Sequence, residues 1–144
     1  MEAGFGEPDE GSWEVRGPRR HFTHSKMMAW VAVGRAGESV EHFHVEGSLD
    51  HWRQLRATIH EQVCRAGFDP ALNSFVQSYG SKDLDASLVL IPLLGFLPAS
   101  DPRVRGTVAA IERSLMRHGF VERYTPRPAL GGLPPGEAVL ACTF

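Results

Sequence analysis

The stretch Met27-Met28-Ala29-Trp30-Val31-Ala32-Val33 is apolar nearly all the way round a helical turn, and its reading decides the fold class. A helix with no polar face is a buried one. The pattern sets its bounds at about Phe22 to Arg35. Upstream, residues 1–20 carry four glycines, two prolines and mixed charge without periodicity, which reads as loop.

Downstream, a second helix has a clear start. Ser48 is placed as an N-cap before Leu49-Asp50-His51-Trp52, with an acidic residue in the first turn. Leu49, Trp52, Leu55, Ile59 and Val63 recur at helical spacing, Arg53, Arg56, His60 and Gln62 fill other faces, and Gly67 ends the helix. Leu84 to Leu94 is again almost wholly apolar and reads as a third, buried helix, with a buried strand as the competing reading of so short a run. A fourth, amphipathic helix begins at Asp101-Pro102, carries the stripe Val104, Val108, Ile111 and Leu115, and stops at Gly119. A fifth begins near Gly136.

The expectation is an all-α chain of four to five helices, alternately buried and amphipathic. An α/α toroid needs that alternation, because its inner helices are covered by an outer ring. A helical bundle shows a similar pattern, but no repeat relates the pairs. Segments 1–21, 68–83 and 120–135, leading into buried helices, are longer than those leading out. If the buried helices run parallel, these long loops gather at one end. Trp13, Glu14, Arg16, Gln77, Tyr79, Lys82, Asp83, Asp85, Arg123 and Tyr124 then share one face, where a rigid scaffold presents functional side chains.

Composition narrows the function class. The 144 residues are 42% hydrophobic and 22% charged, as in a globular protein with one real core and no second domain. The net charge of −2 and dispersed basic residues give no footprint for nucleic acid or an anionic membrane. Met1 to Gly11 has no apolar run of a signal peptide, and Leu88 to Leu97 is broken by Pro92 and Gly95 and too short for a bilayer. Cys64 and Cys142 read as buried free thiols, which fits a cytoplasmic location. His21 with His24, and His42 with His44, lack the companions of a zinc site, so His21 and His24 read as packing at the start of the first helix. No cofactor or metal is implied.

Aromatic rings, arginines and carboxylates are the mixture that sugar sites use. A glycosidase needs a carboxylic acid to protonate the leaving oxygen and a second carboxylate. Glu14, directly after Trp13 in a glycine-flanked loop, is placed for the first role, although composition alone makes it a solvated loop glutamate.

The segment Gly11-Ser12-Trp13-Glu14-Val15-Arg16-Gly17, continuing through His21-Phe22-Thr23-His24-Ser25-Lys26, resembles that around the general acid in bacterial members of glycoside hydrolase family 15. Three more stretches follow in the family's order. They are Gly67-Phe68-Asp69-Pro70 with Phe75-Val76-Gln77-Ser78-Tyr79-Gly80 and Leu84-Asp85-Ala86-Ser87; then Pro92 to Pro98 with Asp101 to Thr107; then Arg123-Tyr124 before a glycine-rich loop. The resemblance covers residues 10–144 and implies an internal piece of a catalytic domain shaped as an (α/α)6 toroid. The family's enzymes are glucoamylase-like or trehalase-like, and hydrolyse α-glucosidic bonds of oligo- or disaccharides with inversion. It implies Glu14 as general acid, Trp13 as a wall of the sugar pocket and Arg123 as a ligand to substrate hydroxyls, with Arg16 and Asp85 also at the substrate site. Lys82 and Asp83 are weaker candidates. Ser12 and residues 125–135 depart from the family pattern.

The family's general base lies beyond the point corresponding to Phe144. The expectation is therefore no useful hydrolysis by this chain alone, and a Glu14 carboxyl near the ordinary pKa of about 4.3 where its walls are open. Two other classes of function stay open: a non-catalytic relic that binds sugar or a partner through the same face, and a helical scaffold without a site. Apolar flanks along 84–94 imply self-association, or pairing with the rest of the domain.

Overall fold

A computed structural model describes residues 5–13, 17–43 and 47–125. Three α-helices carry this part of the chain: α1 (Thr23–Phe43), α2 (Leu49–Ala66) and α3 (Pro102–Leu115). A short 3-10 helix, Ala86–Leu90, and two small antiparallel hairpins complete the elements. None of these helices is long and apolar enough to cross a membrane. The helix expected near Gly136 and the thiol of Cys142 lie outside the described residues.

α1 and α2 form an antiparallel pair. Gly67 lies against Thr23 at one end, Arg56 against Gly34 in the middle and Trp52 against Gly37 at the other. α1 runs to Phe43, well past the expected end at Arg35. Its polar second half is held by α2: the Arg56 guanidinium lies 3.9 Å over the Trp30 ring, and Arg53 pairs with Glu41 at 2.5 Å. Nor is α1 buried all round. Met27, Trp30 and Val33 face the core, while Met28 and Ala32 are exposed.

α2 starts and stops as its sequence dictates. Ser48 Oγ accepts from the His51 amide at 3.3 Å, and the Gly67 amide donates to the Val63 carbonyl at 2.8 Å. Ile59 and Val63 are fully buried. His60, expected on an outer face, instead packs 4.5 Å from the Phe96 ring and 6.3 Å from Trp30.

Phe68–Asp69 and Ser74–Phe75 pair as the first hairpin, β1 and β2, with Phe68 opposite Phe75. Asp69 Oδ1 accepts the Ala71 and Leu72 amides in its turn, and Asn73 takes the left-handed conformation at φ 49°. α3 begins at the expected place, with Asp101 Oδ1 accepting the Arg103 amide and Pro102 in the first turn. It buries Val104, Thr107, Ala110, Ile111 and Leu115, and leaves Val108 exposed. The helix ends at Leu115 rather than Gly119. Residues 116–121 form a second hairpin, β3 (Met116–Arg117) and β4 (Phe120–Val121), turned by His118 at φ 52° and Gly119 at φ 84°. Two successive positive φ values suit a two-residue hairpin turn.

The expected third α-helix is absent. Leu84 to Leu94 forms the 3-10 helix and then turns, with Gly95 at φ 70°. Pro92 lacks an amide proton and Asp85 takes the extended backbone of a cap, which leaves room for little more than a turn of helix. Its apolar residues still serve the core. Leu84, Ala86, Leu88 and Ile91 are buried with Met27, Phe75, Phe96 and Ile111, and Leu93 alone of the run is widely exposed at 78%.

The crossing of α3 over the first hairpin depends on Gly106, where a Cβ would overlap the Asn73 carbonyl oxygen. Gly106→Ala should therefore destabilise the protein by about 1–3 kcal/mol despite the better helix propensity of alanine, measured by urea denaturation. Tyr79 stacks on His21 at 5.8 Å, and its buried hydroxyl has no hydrogen-bond partner among the described residues. Burial pushes its phenol up to about 12. The unfolded phenol, at about 10, loses its proton first, so stability should fall as pH rises from about 10 to about 12. In Tyr79→Phe that alkaline slope should become shallower, with neutral-pH stability within about 1 kcal/mol of the parent, as read from denaturation curves across pH.

Candidate active site

Three segments distant in sequence meet at the N-terminal end of α1. The first is the loop before α1. The Asp9 and Arg20 backbones bond each other at 2.8 and 2.9 Å, which closes the loop at its base. Lys26, only 2% exposed, donates from Nζ to the Glu7 carbonyl at 2.5 Å and lies 3.8 Å from the Asp9 carboxylate. Asp9 Oδ1 also accepts from the Gly11 amide and the Ser25 hydroxyl. The second segment, 76–87, runs beside the first turn of α1: Thr23 donates its amide to the Gln77 carbonyl and its hydroxyl to that of Val76. The third returns from the second hairpin, where the Ala86 amide donates to the Arg123 carbonyl at 2.8 Å and Asp85 bridges Tyr124.

Asp85 sits where the three meet and is 3% exposed. Its Oδ1 accepts from Trp13 Nε1 at 2.9 Å, the Ser87 amide at 2.8 Å and the Ser87 hydroxyl at 2.6 Å, while Oδ2 accepts from Gln77 Nε2 at 3.2 Å. The Arg123 guanidinium lies 6.0 Å from the centre of the Trp13 ring. Burial lowers the pKa of His24, and the nearby Asp85 carboxylate opposes that shift. A half-buried imidazole thus lies near a buried carboxylate.

Of the residues singled out in the sequence, Trp13, Asp85 and Arg123 are brought together; Glu14 and Arg16 lie outside the described residues. Gln77 and Tyr124 join the group through Asp85, as the gathering of loops anticipates. Lys82 is exposed, and Asp83 is buried with its carbonyl bonded to the Gln77 amide. Two members escape sequence reasoning. Ser87 is signalled by its place two residues after an aspartate, the spacing of a side-chain cap, and His24 by nothing sharper than its nearness to Trp13 in sequence. Among the described residues no group of three metal-ligating side chains is assembled. A cavity of about 470 Å³ between Phe5, α1 and α2 shares no residue with this cluster.

The cluster offers an aromatic face, a guanidinium and polar groups fixed by a buried carboxylate. That set can stack on a sugar ring and bond its hydroxyls. Known proteins carry similar stretches. It is 42% identical over 139 residues to the trehalase of Mycobacterium tuberculosis, covering 96% of this chain and 20% of that protein. It is 40% identical over 126 residues to a trehalase of Thermoplasma acidophilum, covering 87% of this chain and 22% of that one. The chain thus spans about a fifth of the length of these relatives. Among solved structures, a wild-type glycosidase superposes with a TM-score of 0.73 at 22% identity over 85% of this chain and 32% of its own, and a variant of similar likeness was solved with glucose. This likeness speaks for the fold. The family model of glycosyl hydrolases family 15 matches residues 1–143, and the chain belongs to that family.

Proposed function

We propose that this chain supplies the acid-bearing side of an inverting α-glucosidase site. Glu14 is the general acid, Trp13 the stacking surface and Arg123 a ligand to sugar hydroxyls, with Arg16 beside them. The α1–α2 pair is one unit of an (α/α)6 toroid. The observation that carries the reading is the meeting of Trp13 and Arg123 at Asp85 in a chain of this family. Trp13 and Glu14 are neighbours in sequence.

Of the two activities the resemblance implies, hydrolysis of α,α-trehalose is favoured, because relatives covering 96% and 87% of the chain are named trehalases. Inversion needs a second carboxylate roughly 6.5–9.5 Å from the first to activate water. The resemblance assigns that base to the part of the family domain that these 144 residues do not cover, and the 144 residues assayed by themselves should not turn sugar over.

Titration calorimetry with acarbose, a glucosidase inhibitor that mimics the transition state, tests the proposal. The chain should bind it, and both Glu14→Gln and Arg123→Ala should weaken binding about tenfold, as expected for the loss of a charge-assisted hydrogen bond. Equal affinity in all three proteins would leave the face without a sugar role. Turnover of trehalose or maltose by the chain alone would overturn the assignment of the base elsewhere.

A further inference from the structure

Asp85 resembles a family position near the substrate, yet its surroundings describe another task. An ionised carboxylate offers roughly four lone-pair sites. Trp13 Nε1, the Ser87 amide and the Ser87 hydroxyl fill Oδ1, and Gln77 Nε2 takes one position on Oδ2. The Oδ2 position that remains is on a residue only 3% exposed, which leaves a sugar hydroxyl little access to it. Its backbone is engaged as well, because Asp85 bridges Tyr124 and the next amide bonds the Arg123 carbonyl. This point of the chain thereby fixes the two groups that would handle sugar: the Trp13 indole through the Asp85 side chain, and the Arg123 backbone through the Asp85–Tyr124 bridge and the Ala86 amide.

We infer that Asp85 is a positioning residue, which holds the Trp13 indole in register with Arg123 and takes no substrate hydroxyl itself. The inference deepens the proposed function and rests on it for the role of Trp13. The loop before α1 is already closed at its base by the Asp9–Arg20 pair and Lys26. The bond from Trp13 to Asp85 is a second, separate anchor further along it. Without that anchor the indole has two side-chain torsions to explore, and a sugar that stacks on it must first order it.

The test reads Trp13 directly. In the full chain labelled at its three tryptophans, Trp13, Trp30 and Trp52 each give one indole N–H resonance, and Trp13→Phe assigns the first. In Asp85→Ala the Trp13 signal should move to the solvent-exposed position while those of Trp30 and Trp52 stay, and acarbose affinity should fall about tenfold. Asp85→Asn should restore both. Its amide oxygen still accepts from Trp13 and Ser87, and the Gln77 amide can turn to present its oxygen to the new donor.

An unmoved Trp13 signal in Asp85→Ala would overturn the inference, as would an Asn variant no better than Ala. If Asp85→Ala does not fold, Trp13→Phe removes the same bond and leaves the Ser87 cap intact. Displaced amide signals of Gly11 and Gly17 then support the anchor, and unmoved ones overturn it. Because the indole signal needs no ligand, a chain that fails to bind acarbose refutes the sugar reading and leaves the anchor to be judged separately.

Discussion

The buried carboxylate of Asp85 is the constraint around which this end of the molecule is arranged. A carboxylate taken out of water costs several kcal/mol unless donors replace its hydration. Here the donors come from a loop before α1, from the segment after the first hairpin and from the start of the 3-10 helix. The charge therefore fixes the relative placement of pieces up to 72 residues apart. Apolar packing alone would tolerate small slides between those pieces, whereas four directional bonds to one group do not.

The helices whose ends are written in local chemistry were legible. Ser48 and Asp101 cap α2 and α3 because each side chain accepts an amide of the first turn, and Gly67 stops α2. Elements that depend on distant partners were not. The second half of α1 is polar and ended at Arg35 by pattern, yet it continues to Phe43 because α2 lies along it. The apolar run from Leu84 to Leu94 reads as a helix from its side chains alone. Its extended Asp85, Pro92 and left-handed Gly95 let it fold as turns while burying the same residues. Composition told that this run is inside, and periodicity could not say in what shape.

The site was legible in part. Gathering the long loops at one end placed ten residues on one face, and of these Trp13, Gln77, Asp85, Arg123 and Tyr124 meet at Asp85. Tyr79 instead stacks on His21, Lys82 is exposed, Asp83 meets Gln77 through its backbone carbonyl, and Glu14 and Arg16 lie outside the described residues. The premise of parallel buried helices was wrong in one member, since the 84–94 segment is not an α-helix; the loops converge through backbone bonds between 76–87 and 121–125 instead. Lys26 gave no signal at all. A lysine among apolar residues on a helix reads as surface, and only the Glu7 carbonyl and Asp9 carboxylate reveal why it is interior.

Buried polar residues are distributed with the same logic. Thr23 and Lys26 occupy the first turn of α1, and Ser74, Gln77, Ser78, Asp83, Asp85 and Ser87 lie along 74–87. Beyond Phe75 that segment has no regular partner strand, so its amides and carbonyls must be met one at a time. Val76 is met by Gly67, Gln77 by Thr23 and Asp83, Tyr79 by His21, Ala86 by Arg123 and Leu84 by Thr125. A helix could satisfy those groups internally, but it could not turn side chains from three segments toward one point. Irregular backbone held by individual bonds can do so, and each bond lost would leave a buried group unpaired at about 1–3 kcal/mol. That sensitivity is what keeps the Trp13 ring, the Arg123 backbone and the start of α1 in one fixed arrangement.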